Sequence, residues 1–387
     1  MASCKFFFNR YLLWAGFIFY LLFAFFIKNP MPDVHLFESA GFYLTQKNSI
    51  YFIDQTHGTY PFFPFLIFPY ALFHLVVKRY PILPFSFLVK LILIPTIFAL
   101  GILIEKLSIL QGLKKNSAFQ RKILFCLNPV VFFSIVYHGQ ADILLLFFFL
   151  LSFYFFEKTL LSGIFYGLSI LTKTWSVIFW PLFFLKIKTF NSKIIHFLST
   201  IIPIFVVCFI YTRLVGSSFR QVASAVFGHP AVFGQHSGTP SFWGIAAILN
   251  VFFQVTKNTD IKYFIQHFSS FSTFILAIVF LLLYLIIFIK KISFHKSSLI
   301  LILGFYILTP SWGIQYSLWV LPFLFMENLV YGLVYSFIAS PYLIFSYLPV
   351  INSEVDMNLS KLFSLLPWLF SLVIFYQLIK NVIQNKN

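Results

Sequence analysis

The sequence has little charge, and acidic residues are the scarcer kind. Only 10% of its 387 residues are Asp, Glu, Lys or Arg, whereas about 25% is usual in soluble proteins. The 10 acidic residues stand against 27 Lys and Arg, which gives a net charge of +17. Because 60% of the residues are also hydrophobic, the composition excludes an ordinary soluble domain and indicates a polytopic membrane protein.

Cysteine pairs, internal repeats and glycine-rich phosphate loops are also missing from the sequence. Its three cysteines, Cys4, Cys126 and Cys208, are too far apart to suggest a disulfide frame or a metal knuckle. Nothing in the chain resembles the nucleotide site of a soluble nucleotide-sugar enzyme. The basic residues are dispersed over loops, so nucleic acid is not an expected partner and the positive-inside rule explains the charge.

The long apolar runs predict an all-α fold. Backbone groups in lipid must be paired within the chain, and runs without alternation favour helices over barrel strands. We expect an all-α polytopic membrane protein with about twelve transmembrane helices of about 20 residues each. One transmembrane domain is expected over residues 1–387. It includes a first outer loop at 28–84, with an in-plane or re-entrant helix over Phe62–Val77, and a large outer loop at 213–267.

Basic clusters predict the orientation of these helices. Lys5 and Arg10 precede the first apolar run, so the amino terminus is expected in the cytoplasm and Asp33, which follows the run, outside. A second basic cluster over Lys106–Lys122 is expected inside again. An outer Asp33 and an inner Lys106 require an odd number of crossings between them. Of the two apolar stretches there, Phe85–Ile104 is the longer and is expected to cross.

Polar side chains that are costly in lipid gather on the predicted outer side. Ionisable groups at membrane depth are expensive and usually functional. A carboxylate there is suited to take a proton from a hydroxyl, and a lysine is suited to neutralise a phosphate. The group comprises Asp33, His35, Glu38, Asp54 and His57 in the first loop, His138, Gln140 and Asp142 after the third span, Lys173 in a later turn, and Gln315 and Tyr316 at another tip.

Four segments, in this order, resemble a known family of membrane enzymes. They are Asp33–Pro61 with its Thr-Tyr-Pro end, Asn128–Asp142 with Asn-Pro and Gly-Gln-Ala-Asp, Ser162–Lys173 as a short glycine-containing helix ending in lysine, and Gln315–Pro322. Together they resemble the GT-C superfamily of glycosyltransferases. Within it, the chain is similar to the catalytic subunits of the first mannosyltransferase of glycosylphosphatidylinositol synthesis and their prokaryotic relatives.

The resemblance implies a GT-C-like helical bundle that transfers a hexose, with mannose as the first candidate. The donor would be a sugar on a polyprenyl or dolichyl phosphate, and the acceptor a glycan or a lipid. Asp33 matches the candidate base of the family, which implies an inverting reaction. Lys173, Arg213, Arg220, Gln315 and Tyr316 are expected to bind the donor or its phosphate, and His35, Glu38, His138, Gln140 and Asp142 to line the substrate pocket.

The chain departs from the family at one position. The usual pattern is Asp-x-Asp, but His35 replaces the second acid. A divalent cation, Mg²⁺ or Mn²⁺, held by Asp33 and His35 is one reading, and a hydrogen bond from His35 is the preferred alternative. Asp142 could instead cap the helix that follows it, and Lys173 could snorkel to the interface.

Two other functions stay open. A transporter or lipid flippase would show inverted repeats and charges near the bilayer midplane, and the sequence shows neither. A non-catalytic subunit of a glycosylation complex would also account for the missing second acid. In each case we expect a membrane-embedded protein in contact with lipids. It would lie in a bacterial or archaeal plasma membrane or in the endoplasmic reticulum, with its active site on the non-cytoplasmic face.

Overall fold

The computed structural model describes residues 2–27, 31–52, 60–227, 243–309, 313–351 and 357–384. These residues form helices and the connections between them, and they contain no β-strand. The structure therefore confirms the all-helical fold class. Asp54 and His57, which the sequence placed near the site, lie outside the described residues.

The described α-helices follow one another with short connections. Short 3₁₀ segments occur at Ile50–Phe52, Pro64–Leu66, Thr174–Phe179 and Ile314–Leu318, and a π-helical segment covers Phe132–Tyr137. The α-helices are α1 (Ala2–Phe26), α2 (Pro32–Thr45), α3 (Ile67–Arg79), α4 (Phe85–Leu110), α5 (Lys115–Cys126), α6 (Pro129–Val131), α7 (Asp142–Tyr154), α8 (Thr159–Thr172), α9 (Trp180–Lys186), α10 (Phe190–Val215), α11 (Phe219–Phe227), α12 (Gly244–Thr256), α13 (Thr259–Lys290), α14 (Phe294–Leu308), α15 (Leu321–Glu327), α16 (Leu329–Ile351), α17 (Met357–Phe363) and α18 (Leu365–Ile383).

Among the described residues, 5 helices are long and apolar enough to cross a membrane by length and composition. Shorter apolar helices of 10–17 residues accompany them, including α7, α8 and α14. This supports a membrane-embedded protein, while the expected total of about twelve spans stays a prediction. The 5 candidates are Phe85–Leu110, Lys115–Tyr137, Phe190–Val215, Leu329–Pro349 and Asn358–Ile383.

The chain divides into two compact units. The first comprises Met1–Ile178 and Ile187–His229, and the second comprises Phe179–Lys186 and Pro230–Asn387. The first unit therefore contains α1 to α8, α10 and α11, and the second contains α9 and α12 to α18. The single transmembrane domain expected from the sequence stays a prediction.

In the first unit, α8 and α10 pack closely because two glycines of α8 lack side chains. A Cβ atom on Gly163 would lie 2.7 Å from the carbonyl oxygen of His196, and one on Gly167 would lie 2.4 Å from that of Thr200. Small residues allow membrane helices to approach backbone to backbone in this way. The close packing fixes the end of α8, and Lys173 follows directly after that end.

The predicted first outer loop contains α2 and α3. Helix α2 starts with Pro32, whose missing N–H costs nothing at a first helical position, and the helix dipole favours the carboxylate of Asp33 in the first turn. Within the stretch expected over Phe62–Val77, the structure has α3, which begins only at Ile67 and continues to Arg79, and its in-plane or re-entrant placement stays a prediction. The Tyr70 ring of α3 stacks on that of Phe37 with 4.8 Å between centroids. Asp33 is thus part of a packed helix and not of an irregular loop.

The segment predicted as a large outer loop, 213–267, is also partly helical. It contains α11, α12 and the first turns of α13. In the second unit, the fully buried Trp243 precedes α12 and its Nε1 donates to the carbonyl oxygen of Tyr306 over 2.7 Å. Its ring also packs against Tyr342 of α16, with 5.7 Å between centroids. This tryptophan ties the start of α12 to α14 and α16.

Candidate functional site

A short tip, His138–Ala141, separates the π-helical segment from α7 and carries two of the predicted site residues. The amide N of His138 donates to the carbonyl of Phe133 over 3.1 Å, and that of Gly139 donates to Ile135 over 2.9 Å. These bonds hold the tip against the preceding helical turn. The tip follows a π-helical turn, a feature that occurs frequently at functional sites.

Asp33 meets two side chains of this tip. The Nε2 atom of His138 lies 2.9 Å from Oδ2 of Asp33, and Nε2 of Gln140 donates to the same oxygen. The Asp33 side chain is 40% exposed, whereas that of His138 is 7% exposed. The Asp33 carboxylate is therefore fixed by two side chains of the protein and is also partly exposed to solvent.

Gln140 connects Asp33 to a buried ion pair. Its Oε1 accepts a hydrogen bond from Nζ of Lys173 over 3.3 Å, and the same ammonium donates to Oδ2 of Asp142 over 2.7 Å. The charges fix the orientation of the amide, because its NH₂ must face the carboxylate and its oxygen must face the ammonium. Asp33, Gln140, Lys173 and Asp142 thus form one continuous polar chain.

The surroundings of Asp33 keep it ionised. Burial by itself raises the pKa of this carboxyl group. The hydrogen bond and charge of His138, followed by the charge of Lys173, outweigh the burial and hold the pKa of Asp33 below its ordinary value. The side chain is therefore a carboxylate at neutral pH and can accept a proton.

The structure does not join the other two predicted residues of the first loop to Asp33. Residues two apart on a helix do not face each other, and His35 follows Asp33 by two positions on α2. The His35 side chain is exposed, and Glu38 is partly exposed. No hydrogen bond between described residues connects either of them to Asp33.

Asp33 and His35 therefore do not fit the divalent cation considered from the sequence. His35 lies on another face of α2, so its imidazole and the carboxylate of Asp33 do not converge on one ion. Within the part of the chain that the structure describes, no group of three or more His, Cys, Asp or Glu side chains is arranged to hold a metal ion. A divalent cation in the reaction stays a prediction.

Two alternative roles considered from the sequence are wrong in the structure. Asp142 is the first residue of α7, while the N-cap is Ala141 and makes no side-chain cap. Its carboxylate bonds to Lys173 instead of capping the helix. Lys173 does not snorkel, because its side chain is only 6% exposed and its ammonium is bonded inside the protein.

The structure does not join the remaining donor-binding predictions to this polar chain. Arg213 and Arg220 are exposed, and the guanidinium of Arg213 lies 5.2 Å from the centre of the Phe209 ring. No hydrogen bond or ion pair of the described residues joins either arginine to Asp33. Gln315 and Tyr316 belong to the second unit. A role in donor binding stays a prediction for all four.

Sequence analysis missed Tyr70, which lies near Asp33, and its neighbour Tyr60. Burial, followed by the charges of Tyr60 and Asp33, raises the pKa of Tyr70, so its phenol stays protonated beside the carboxylate. Tyr60 is fully buried, and its hydroxyl has no hydrogen-bond partner among the described residues. The signal for Tyr60 was present, because it lies in the Thr-Tyr-Pro segment that carries part of the resemblance.

Sequence analysis also missed Lys90, a fully buried residue of α4. Its Cε atom lies 3.5 Å from the position that a Cβ on Gly139 would occupy. Its Nζ has no hydrogen-bond partner within the described part of the chain. A lone lysine inside the apolar run Phe85–Ile104 was the available signal, because a charge within a predicted span is itself unusual.

The helices and the polar chain together define an all-helical membrane protein with a mostly buried charged cluster that opens to solvent at one carboxylate. Comparison with known proteins identifies no family for this chain. No family model matches the chain, and no curated protein matches it. The GT-C resemblance thus remains an expectation that rests on the sequence segments alone.

Proposed function

We propose that this protein is an integral membrane glycosyltransferase. It takes a hexose, with mannose as the first candidate, from a polyprenyl or dolichyl phosphate and transfers it to a glycan or lipid on the non-cytoplasmic face. A GT-C-like bundle of about twelve spans is part of the proposal. The observation that supports it best is the position of Asp33, whose ionised carboxylate is anchored by two side chains and open to solvent.

In this proposal Asp33 is the general base. The acceptor hydroxyl oxygen bonds to the anomeric carbon while its proton passes to the carboxylate. The bond from that carbon to the phosphate oxygen breaks at the same time, and its electron pair leaves with the lipid phosphate. Attack from the side opposite the leaving group inverts the anomeric configuration. Correct placement of the two reactants supplies a large part of the rate.

His138 and Gln140 orient the base. Both meet Oδ2 of Asp33, and no described residue makes a hydrogen bond to Oδ1. The free oxygen is therefore available for the acceptor hydroxyl. A carboxylate that accepts hydrogen bonds is a weaker base, so the two contacts lower the proton affinity of Asp33. They also fix the orientation of its free oxygen toward the acceptor.

In this proposal Lys173 positions Gln140 instead of binding the donor phosphate, the role expected from the sequence. Its ammonium is already paired with Asp142 and bonded to Gln140. A sugar phosphate placed between Asp33 and Lys173 would have to displace the Gln140 amide and would approach the Asp142 carboxylate. Lys173 therefore fixes Gln140, and another cation binds the donor phosphate.

The test measures sugar transfer by the purified full chain in liposomes, with radiolabelled mannosyl prenyl phosphate and a membrane lipid extract as the acceptor. Asp33→Asn should lose activity by about 10² or more, the range usual for a general base. Asp260→Asn is the matched control, because Asp260 is also a carboxylate in the first turn of a helix, is exposed, and belongs to the second unit.

The outcomes separate the proposal from its rivals. Full activity of Asp33→Asn would remove Asp33 from the mechanism. A wild-type protein that moves the labelled lipid between leaflets but transfers no sugar would be a flippase. A wild-type protein that neither moves the lipid nor transfers sugar until a partner is added would be a non-catalytic subunit.

A further inference from the structure

Lys90 is a buried lysine that the reaction scheme above does not use. Its side chain is completely enclosed, and its Nζ has no hydrogen-bond partner among the described residues. Removing an ammonium from water without a partner is expensive, and natural proteins rarely leave such a group uncompensated. A lysine in this position is suited to receive an anion that the protein itself does not supply.

The lysine lies beside the tip that holds Asp33. Its Cε and Cγ atoms are 3.5 Å and 4.0 Å from the position of a Cβ on Gly139, and a methyl group of Val34 is 3.2 Å from the same position. Gly139 lies between His138 and Gln140, which both contact Asp33, and Val34 follows Asp33. The absent side chain of Gly139 therefore lets the Lys90 stem reach the tip next to the base.

The other cations of the first unit that were expected to bind phosphate are less suitable. Lys173 is neutralised by Asp142, so an anion there would compete with a carboxylate. Arg213 and Arg220 are exposed, and water weakens their hold on a phosphate. No carboxylate of the described residues forms an ion pair with Lys90.

We propose, resting on the proposed function, that Lys90 binds the phosphate group of the lipid-linked donor. The phosphate would lie against a buried ammonium while the acceptor hydroxyl meets Asp33. A cation in a low-dielectric position stabilises the charge that the phosphate gains as it leaves. Because Lys90 is enclosed, the side chains that cover it must move when the donor binds.

A binding experiment tests this proposal independently of catalysis. The thermal stability of the purified full chain in detergent is measured with farnesyl phosphate, with neutral farnesol and with inorganic phosphate. Farnesyl phosphate should stabilise the wild type, and its affinity should fall about tenfold or more in Lys90→Met, as expected for loss of a charged hydrogen bond. Lys115→Met removes an exposed lysine of the same unit and serves as the matched control.

The probes separate the sources of the phosphate. Stabilisation by farnesyl phosphate alone identifies a lipid phosphate, and equal stabilisation by inorganic phosphate identifies a site for free phosphate, which would overturn the donor assignment. Equal responses of the wild type and Lys90→Met to farnesyl phosphate would overturn the proposal. If Lys90→Met does not fold, Lys90→Arg and Lys90→Gln replace it, and only the arginine variant should keep the response.

The same measurements distinguish this proposal from the glycosyltransferase assignment. Asp33→Asn should lose sugar transfer but keep the stabilisation by farnesyl phosphate. If Lys90→Met binds normally while Asp33→Asn is inactive, only the phosphate assignment fails. If farnesyl phosphate binds through Lys90 but the wild type transfers no sugar, the enzyme assignment fails and the phosphate site stands.

Discussion

The ammonium of Lys173 donates a hydrogen bond to the carboxylate of Asp142 over 2.7 Å, and the two side chains are only 6% and 0% exposed. The pair joins the residue after α8 to the first residue of α7. A buried ion pair of this kind adds little net stability, but the removal of one partner leaves the other charge uncompensated. The pair therefore holds the polar chain in place.

Asp142→Asn should lower the free energy of unfolding by about 3–5 kcal/mol, because the Lys173 ammonium loses its counterion inside the protein. Thermal unfolding in detergent measures the effect. Glu105→Gln is the control, since it breaks the more exposed pair between Glu105 and Lys122. Its expected cost is smaller than that of Asp142→Asn, because both partners of this pair keep some contact with water.

The double variant Asp142→Leu with Lys173→Met tests the same reasoning from the other direction. It removes both charges and should be more stable than Asp142→Asn, because no buried ammonium is left without a partner. Equal stability of Asp142→Asn and the wild type would contradict the pairing. Sugar transfer by the double variant should fall as well, since Gln140 loses its donor at Oε1.

The pH dependence of transfer should report the contact between Asp33 and His138. The folded protein holds the pKa of Asp33 below its ordinary value, so the base is lost only as the pH falls through that lowered value. His138→Leu removes the hydrogen bond and the charge that lower the pKa, and leaves the burial that raises it. The acid limb of kcat/KM should therefore move to higher pH.

Two further variants sharpen the pH experiment. His138→Gln can still donate a hydrogen bond but carries no charge, so its acid limb should fall between those of the wild type and His138→Leu. His267→Gln, which changes an exposed histidine of the second unit, should leave the profile unchanged. An acid limb at the same pH in the wild type and His138→Leu would argue against this coupling.

The free energy of unfolding should depend on pH in the same direction as transfer does. Ionised Asp33 stabilises the fold above its unfolded pKa, and this contribution is lost as the pH falls through the lowered pKa of the folded protein.

The sequence was sufficient to predict the class of fold and several helices. Low charge and long apolar runs predicted helices, and the stretch expected over Phe85–Ile104 is observed within α4. Charge and hydropathy could not predict that Asp33 lies inside a helix, because α2 is short and of mixed composition. The proline before Asp33 was the local signal for that helix start.

The site was predictable only where polar residues lie in short connections. His138, Gln140, Asp142 and Lys173 were all placed near Asp33 from their positions at helix ends, and the structure brings them together. Pairwise chemistry was not predictable, because it depends on which face of each helix is buried. His35 was expected beside Asp33 and lies on another face, and Lys90 was overlooked inside an apolar run.

Gly139→Ala should lower transfer activity as well as stability, because the substitution displaces the tip that contacts Asp33. Its φ of +87° is unfavourable for alanine by about 1–2 kcal/mol, and the new methyl group would also press on Val34 at 3.2 Å. Gly112→Ala is the matched control, because Gly112 has a φ of +89° but no atom within 4 Å of the new Cβ. Both variants should be less stable than the wild type, but only Gly139→Ala should also lose transfer activity. Equal activity of the two variants would show that the tip does not control Asp33.

Gly167→Ala should weaken the packing of α8 on α10, since its Cβ would lie 2.4 Å from the carbonyl oxygen of Thr200. Backbone atoms cannot rotate away, so the helices must separate at a cost of about 1–3 kcal/mol. Gly304→Ala is the control, because its Cβ would press on the end of the Leu283 side chain, at 2.9 Å, and would otherwise meet the Phe375 ring at an ordinary contact distance of 3.7 Å. That side chain can change rotamer, and alanine is preferred over glycine inside a helix by roughly 0.5–1 kcal/mol.

The two alanine variants of helical glycines should therefore differ in thermal unfolding, with a lower midpoint for Gly167→Ala and little change for Gly304→Ala. The separation of α8 from α10 should also reach Lys173, which follows the last turn of α8. A shift of that ammonium would loosen Gln140 and, through it, Asp33. Gly167→Ala should thus lose transfer activity even at temperatures where it remains folded, and unchanged stability and activity would mean that α8 and α10 are not in backbone contact.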